Sequence, residues 1–309
     1  MSCAGETVFD NATWTGASPR LSVLTPFKGD DPTPLIEALG RESVEAEVVL
    51  LDDGTGDPEL VARVKAGVEA LQLPARLVVL ARNEGRAKGR NRLVRHARAG
   101  HLLFLDSDML PDEPDFLAAW LELIAAGDPA VAFGGFSLRQ AGEAPEHALH
   151  RAMALHSDCL PAARRRLAPE KSVFTSNLLV RRDVFEAEAF DEGFVGWGWE
   201  DVEWAMRVAR RWPIVHIDNT ATHLGLDPDA TIARKYEESA ANFARVVAAH
   251  REVVSSYPSY RAARLLKRAP LRSLWRPWLK RYALARVAPV RTRAFAMRLY
   301  RAALYAEAV

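Results

Sequence analysis

The chain has 309 residues, 49% of them apolar and 26% charged, with a net charge of +1. That is ample for one large globular domain with an appendage, and it argues against a disordered or fibrous chain. Two cysteines, Cys3 and Cys159, give neither a disulfide framework nor metal-ligand spacing, which predicts a reducing, cytoplasmic setting.

No N-terminal stretch reads as a signal peptide, and no run of 18 apolar residues reads as a membrane span. Residues 1–19 are polar and rich in Gly, Ser and Thr, which predicts a loose arm. "LSVLTPF" (21–27), "AEVVLLDD" (46–53), "ARLVVLA" (75–81) and "HLLFLDSD" (101–108) read as buried strands. Helical patterns at 58–71, 86–99 and after Pro114 separate or follow them. Such alternation predicts an α/β domain over 20–228, its sheet mostly parallel and flanked by helices on both faces. Ligands bind such sheets at the carboxyl ends of the strands. Three of these strands end there in "TPF", "DDG" and "DSD".

Beyond "AVAFGGFSL" (130–138) the pattern loosens. A strand and helix over 171–187, the loop "FVGWGWED" (194–201), a helix from Glu200 and the strand "PIVHI" follow. From about 229 the chain reads as helix only, with Pro270, Pro277 and Pro289 expected to cut its last part into short pieces. Residues 261–309 hold thirteen Lys or Arg and one acid, Glu307, so a tail of +12 rides on a body of −11. Among its basic residues stand Trp275, Trp278, Leu279 and Tyr282. This predicts either binding to an anionic membrane surface or packing of basic helices on the acidic body. No nucleic-acid-binding motif is present.

The polar residues at the strand ends suggest chemistry. Asp106 and Asp108, two apart, are expected to point the same way and to offer hard oxygen ligands to Mg²⁺ or Mn²⁺. His223, in a polar segment after a strand, is a candidate third ligand, whereas His216 inside "PIVHI" reads as core. Of Asp52 and Asp53, one could accept hydrogen bonds from a nucleobase and the other cap the turn. Arg86, Lys88 and Arg90 at a helix start suit a diphosphate. The paired acids Glu200 and Asp201 follow Gly196-Trp197-Gly198-Trp199, which suggests a pocket that holds a polar ring and removes a proton from it.

In this order the motifs resemble the family-two inverting glycosyltransferases of GT-A fold, over about 20–225. "SVLTPF" resembles the opening nucleotide strand, with Thr25 and Pro26, and "VVLLDDGTGD" the turn whose second acid, Asp53, contacts uracil in relatives. "RNEGRAKGRN" and "FLDSDMLP" resemble the family's basic stretch and its D-x-D. "GWGWED" is similar to the G-W-G-x-E-D acceptor segment of galactosyl- and N-acetylgalactosaminyltransferase-like members. The departures are Trp199, where relatives often carry glycine, and "AEAFDE", where they have two glycines. The resemblance implies transfer from a nucleoside diphosphate sugar, UDP-linked, to an acceptor hydroxyl of a glycan, glycolipid or small molecule. It implies donor contacts from Thr25, Pro26, Asp53, Arg86, Arg90 and Asp106, and a metal held by Asp106, Asp108 and His223. Trp197, Gly198, Trp199 and Glu200 would face the acceptor or sugar, and Asp201 would be the base. A nucleotidyltransferase is the rival enzyme, though "TPFKGDDPTP" lacks the glycines its loop needs; a non-catalytic sugar- or nucleotide-binding protein is the other alternative.

Overall fold

A computed structural model describes residues 5–309. Cys3 lies outside them, and Cys159 is a free, half-buried thiol. The strands in chain order are β1 (Glu6–Asp10), β2 (Leu21–Phe27), β3 (Ala46–Asp52), β4 (Ala75–Leu80), β5 (His101–Phe104), β6 (Met109–Pro111), β7 (Val131–Phe133), β8 (Phe136–Ser137), β9 (Leu178–Arg181), β10 (Ile214–His216) and β11 (Ala221–His223). The helices are α1 (Thr33–Leu39), α2 (Pro58–Ala70), α3 (Arg86–His96), α4 (Phe116–Gly127), α5 (Ala148–Ser157), α6 (Ala162–Arg165), α7 (Arg182–Ala187), α8 (Glu200–Val208), α9 (Asp229–Val254), α10 (Pro258–Lys267), α11 (Arg272–Leu284) and α12 (Val290–Tyr305).

The main sheet has eight strands in the order β1-β4-β3-β2-β5-β9-β7-β10. Its centre, β4-β3-β2-β5, is parallel throughout. All seven residues of β3 are buried. Val48 and Leu50 enter the apolar cluster on one face, and Val49 and Leu51 the cluster on the other. That two-sided burial is why the central strands read as unbroken apolar runs. The sheet is nonetheless mixed, because β1 and β9 run antiparallel to their neighbours.

The loose arm expected over 1–19 is corrected for residues 6–11, while residues 1–4 lie outside the described residues. Glu6–Asp10 pair antiparallel with β4. Asn11 then pins the connection: its side-chain amide donates to the carbonyls of Leu71 (3.0 Å) and Leu73 (2.9 Å), and its oxygen accepts from the Ala75 amide at 3.0 Å. Period and composition miss this because the ties are non-local.

A three-stranded sheet, β6-β11-β8, sits beside the main one. Its register places His223 opposite Met109. The Leu224 amide donates to the Asp108 carbonyl at 2.8 Å. Two residues far apart in sequence are thereby set side by side. The last quarter is helical, as its pattern predicts. Pro277, however, lies inside α11 and does not cut it. Beyond the missing N–H, Leu279 and Ala283 share an apolar cluster with Ala294 and Met297 of α12. No helix among the described residues is long and apolar enough to cross a membrane.

Candidate active site

A cleft of about 480 Å³ opens where β2, β3 and β5 end. Pro26, Asp53, Arg86, Arg90, Asp106 and Asp108 all line it. Asn83 and Glu84, from the "RNEGRAKGRN" stretch, line it too, as do Lys28, Asp30 and Glu192, which the sequence analysis does not assign to the site. Thr25 lies behind this wall, fully buried in β2.

The two acids that close β3 divide the work. Asp52 Oδ1 accepts from the Thr55 amide at 2.9 Å and caps the turn. The Asp53 carboxylate is grasped by the loop before α3: Asn83 Nδ2 donates at 2.7 Å, the Glu84 amide at 2.7 Å and the Gly85 amide at 3.0 Å. Burial raises the Asp53 pKa against those amides. Asp53 therefore fastens the basic helix start to the sheet edge.

The D-x-D departs from expectation. The strand ends at Phe104, and the Met109 amide closes a turn on the Asp106 carbonyl at 3.1 Å. Period-two geometry does not apply inside a turn, and the two carboxylates take different partners. Arg90 Nη2 donates to Asp106 Oδ1 at 2.7 Å, and Arg86 Nη2 stands 3.8 Å from Asp106 Oδ2. Asp108 Oδ2 instead lies 3.2 Å from His223 Nε2. Burial alone would push the imidazole down, but the hydrogen bond and charge of Asp108 bring it up. Burial likewise works against Asp108, whose pKa His223 lowers. Gly225 makes this approach possible, since a Cβ there would stand 1.9 Å from Asp108 Oδ2.

Among the described residues no three His, Cys, Asp or Glu side chains converge as a complete metal-binding group. One carboxylate oxygen and one imidazole nitrogen do meet. Their chemistry suits Mn²⁺ or Mg²⁺ that draws its remaining ligands from a diphosphate and water. Asp106, tied to Arg90, does not join them.

Against these arginines stand the paired acids at the start of α8. Arg86 Nε donates to Glu200 Oε1 at 2.9 Å, and Arg90 Nη1 is 3.8 Å from the same oxygen. The two arginines thus bridge Asp106 and Glu200. Arg90 Nε and Nη1, Glu200 Oε2 and Thr25 Oγ1 are buried without a hydrogen-bond partner among the described residues. Buried polar atoms of this kind are costly unless something completes them. Asp201 is held by Thr175, whose amide and hydroxyl each donate at 3.2 Å. As a residue Asp201 is half-buried. Burial, then the charge of Glu200, push its pKa up to about 6 against the pull of Arg90 and Arg86. Thr175 sits in a short 3₁₀ turn before β9, and nothing in its local sequence marks it.

The tryptophans do not form two free plates. Trp199 has φ +76°, donates from Nε1 to the Tyr305 hydroxyl at 2.9 Å, and packs on Phe243 with ring centroids 4.9 Å apart. Its ring faces α9 and α12, so the expected stacking of Trp199 on a sugar is corrected to a supporting role. Trp197 is half-buried against Tyr236 at 6.0 Å. Asn242 Nδ2 donates to the carbonyls of Val195 (3.1 Å) and Gly198 (2.9 Å), which fixes a loop that glycine content alone would make flexible. His216 is fully buried beside Arg165.

Residues 34–188 match the model of the family described as glycosyl transferase family 2. The match ends before the Gly196–Asp201 segment. No curated protein sequence matches the chain. Among solved structures, the chain is similar to the mannosyltransferase PcManGT from Pyrobaculum calidifontis, in complex with GDP-Man and Mn²⁺, with a TM-score of 0.59 and 17% identity over 94% of this chain and 86% of that one. It is also similar to TarS residues 1–349 from S. aureus, with a TM-score of 0.52 and 17% identity over 91% and 89%. A complex of TarS 1–349 with UDP gives 0.50 and 16% over 93% and 90%. At such identities the likeness carries the GT-A fold, and the family match carries the membership.

Proposed function

The chain belongs to glycosyl transferase family 2 and is a glycosyltransferase; on that premise we propose that it is a metal-dependent, inverting enzyme that moves a sugar from a UDP-linked donor to an acceptor hydroxyl, in the synthesis of a polysaccharide, glycolipid or other glycoconjugate. The donor lies along the sheet edge, its base near Thr25, Pro26 and Asp53 and its diphosphate near Arg86, Arg90 and Asp106. A divalent cation held by Asp108 and His223 would, when bound, neutralise negative charge on the departing diphosphate. Arg86 and Arg90 stabilise the same charge from the side.

Asp201 takes the proton from the attacking hydroxyl. Its carboxylate is ionised above about pH 6 and, being buried, is a stronger base than an exposed one. Glu200, with one oxygen on Arg86 and the other unpartnered, hydrogen-bonds a substrate hydroxyl. Trp197 and the Gly198 backbone border the acceptor, and Trp199 holds the loop from behind. Attack from the Asp201 side, opposite the leaving diphosphate, inverts the anomeric centre. The observation that supports this reading is the Asp106–Arg90–Arg86–Glu200 bridge, which ties the D-x-D turn to the first residue of α8, the neighbour of Asp201.

The test is a panel of UDP- and GDP-sugars with Mn²⁺ or Mg²⁺, read by thermal shift and slow donor hydrolysis. Metal-dependent stabilisation by one UDP-sugar is expected. Preference for a guanine donor would overturn the uridine assignment, and stabilisation by none would overturn the reading of the cleft.

A further inference from the structure

The basic tail packs on the body and still presents an apolar outer face. Arg293 and Arg286 reach Asp229, Lys280 reaches Glu237, and Arg276 reaches Glu307. These ties fasten α11 and α12 with Leu279, Ala283 and Met297 turned inward. The other side of α11 carries Leu274 and Trp278, 64% and 67% exposed, then Tyr282 one turn on. Their spacing of four puts them on one stripe. Leu271 precedes the stripe, and Leu265 on α10 is 72% exposed. A helix apolar on both sides has a second surface that folding of this chain leaves uncovered. The basic residues left over from the ties, Arg261, Arg264, Arg268, Arg281 and Arg291, are all exposed on the same tail. The Arg281 guanidinium lies 6.0 Å from the Trp278 ring centre.

We propose that this α10–α11 face docks on an anionic membrane surface, with Leu274, Trp278 and Tyr282 entering the headgroup boundary and the arginines pairing with lipid phosphates. The occupant follows from charge: an apolar stripe with Arg281 against its Trp278, on a tail whose other unspent arginines are exposed, matches an anionic lipid layer, which takes up both apolar and cationic side chains. The inference stands apart from the chemistry of the cleft.

Flotation of the full chain with vesicles of phosphatidylcholine alone and of phosphatidylcholine with phosphatidylglycerol tests it. The protein is expected to float only with the anionic vesicles and to be released by salt. Arg264→Gln with Arg268→Gln and Arg281→Gln should weaken binding about a hundredfold. Leu274→Ser with Trp278→Ser should weaken it at least about tenfold with an unchanged melting midpoint, because these side chains are exposed. Retention of the wild-type chain in the soluble fraction, or equal flotation of the variants, would overturn the proposal. So would a dimer in solution that the serine variant splits while vesicle binding is absent in both. Nucleotide-induced stabilisation, measured on the same variants, is expected to be unchanged, so a failure here is distinguishable from a failure of the donor site.

Discussion

Asp201→Asn separates chemistry from stability in one substitution. Burial among Glu200 and the protein interior moves the carboxyl from 3.8 to about 6 in the folded chain. Each unit is 1.36 kcal/mol, so ionising this group in the fold costs up to about 3 kcal/mol. A raised acid binds its proton more tightly when folded. The penalty is therefore complete above about pH 6 and absent below the unfolded pKa of 3.8. Asparagine keeps the shape, can accept from the Thr175 amide, and has no charge to bury. The variant should be more stable than the parent by about 1–3 kcal/mol at about pH 8, and the gap should close as pH falls towards about 4. Denaturant unfolding across that range measures it. Turnover should fall by at least about 10² while nucleotide still binds, if Asp201 is the base. An Asn variant that is less stable at about pH 8, or whose difference from the parent ignores pH, would refute the buried-charge argument, and retained turnover would refute the role.

Other outcomes follow from the same geometry. With Asp201 as the proposed base, kcat/KM should rise with pH through about 6, and a pH–rate profile reads this directly. Arg90→Met leaves Asp106 and Glu200 short of a buried partner and should cost about 3–5 kcal/mol in a denaturant midpoint comparison, with turnover lost as well. Tyr305→Phe removes the acceptor of the Trp199 indole and should cost about 1 kcal/mol by the same measurement, with a larger loss in acceptor KM than in donor hydrolysis. His223→Ala and Asp108→Asn should each abolish the extra thermal stabilisation that Mn²⁺ gives a bound nucleotide, while leaving metal-free nucleotide binding measurable.

How much of this was legible beforehand depends on how far each feature reaches along the chain. β3 is legible because burial on both faces favours an unbroken apolar run, Val48 to Leu51, ahead of its terminal acids. Asp53, Arg86, Arg90 and Asp106 are legible as strand-end and helix-start residues, since the fold brings those ends to one edge. The meeting of Asp108 with His223 is not a local property. It comes from the β6–β11 register, and strands of three residues leave almost no periodic trace. Thr175 matters through two hydrogen bonds to Asp201 and Gly225 through the room it leaves Asp108, and neither belongs to a motif. Trp199 misled because composition identifies an aromatic ring without saying which way it turns. Its signal lay in position: a bulky residue after Gly198, at a left-handed helix start, needs strong packing to hold it there.

Trp199 leans on a hydroxyl more than a hundred residues downstream, and Asn242 grips the same loop from the middle of α9. During synthesis the donor edge, built from residues before about 110, can form early, since domains mature from the amino end. The Trp199 indole gains its hydrogen-bond acceptor only once residue 305 has been made. On the reading proposed above, the residues expected to meet the nucleotide would thus be made well before the contacts that hold the Trp199 loop in place.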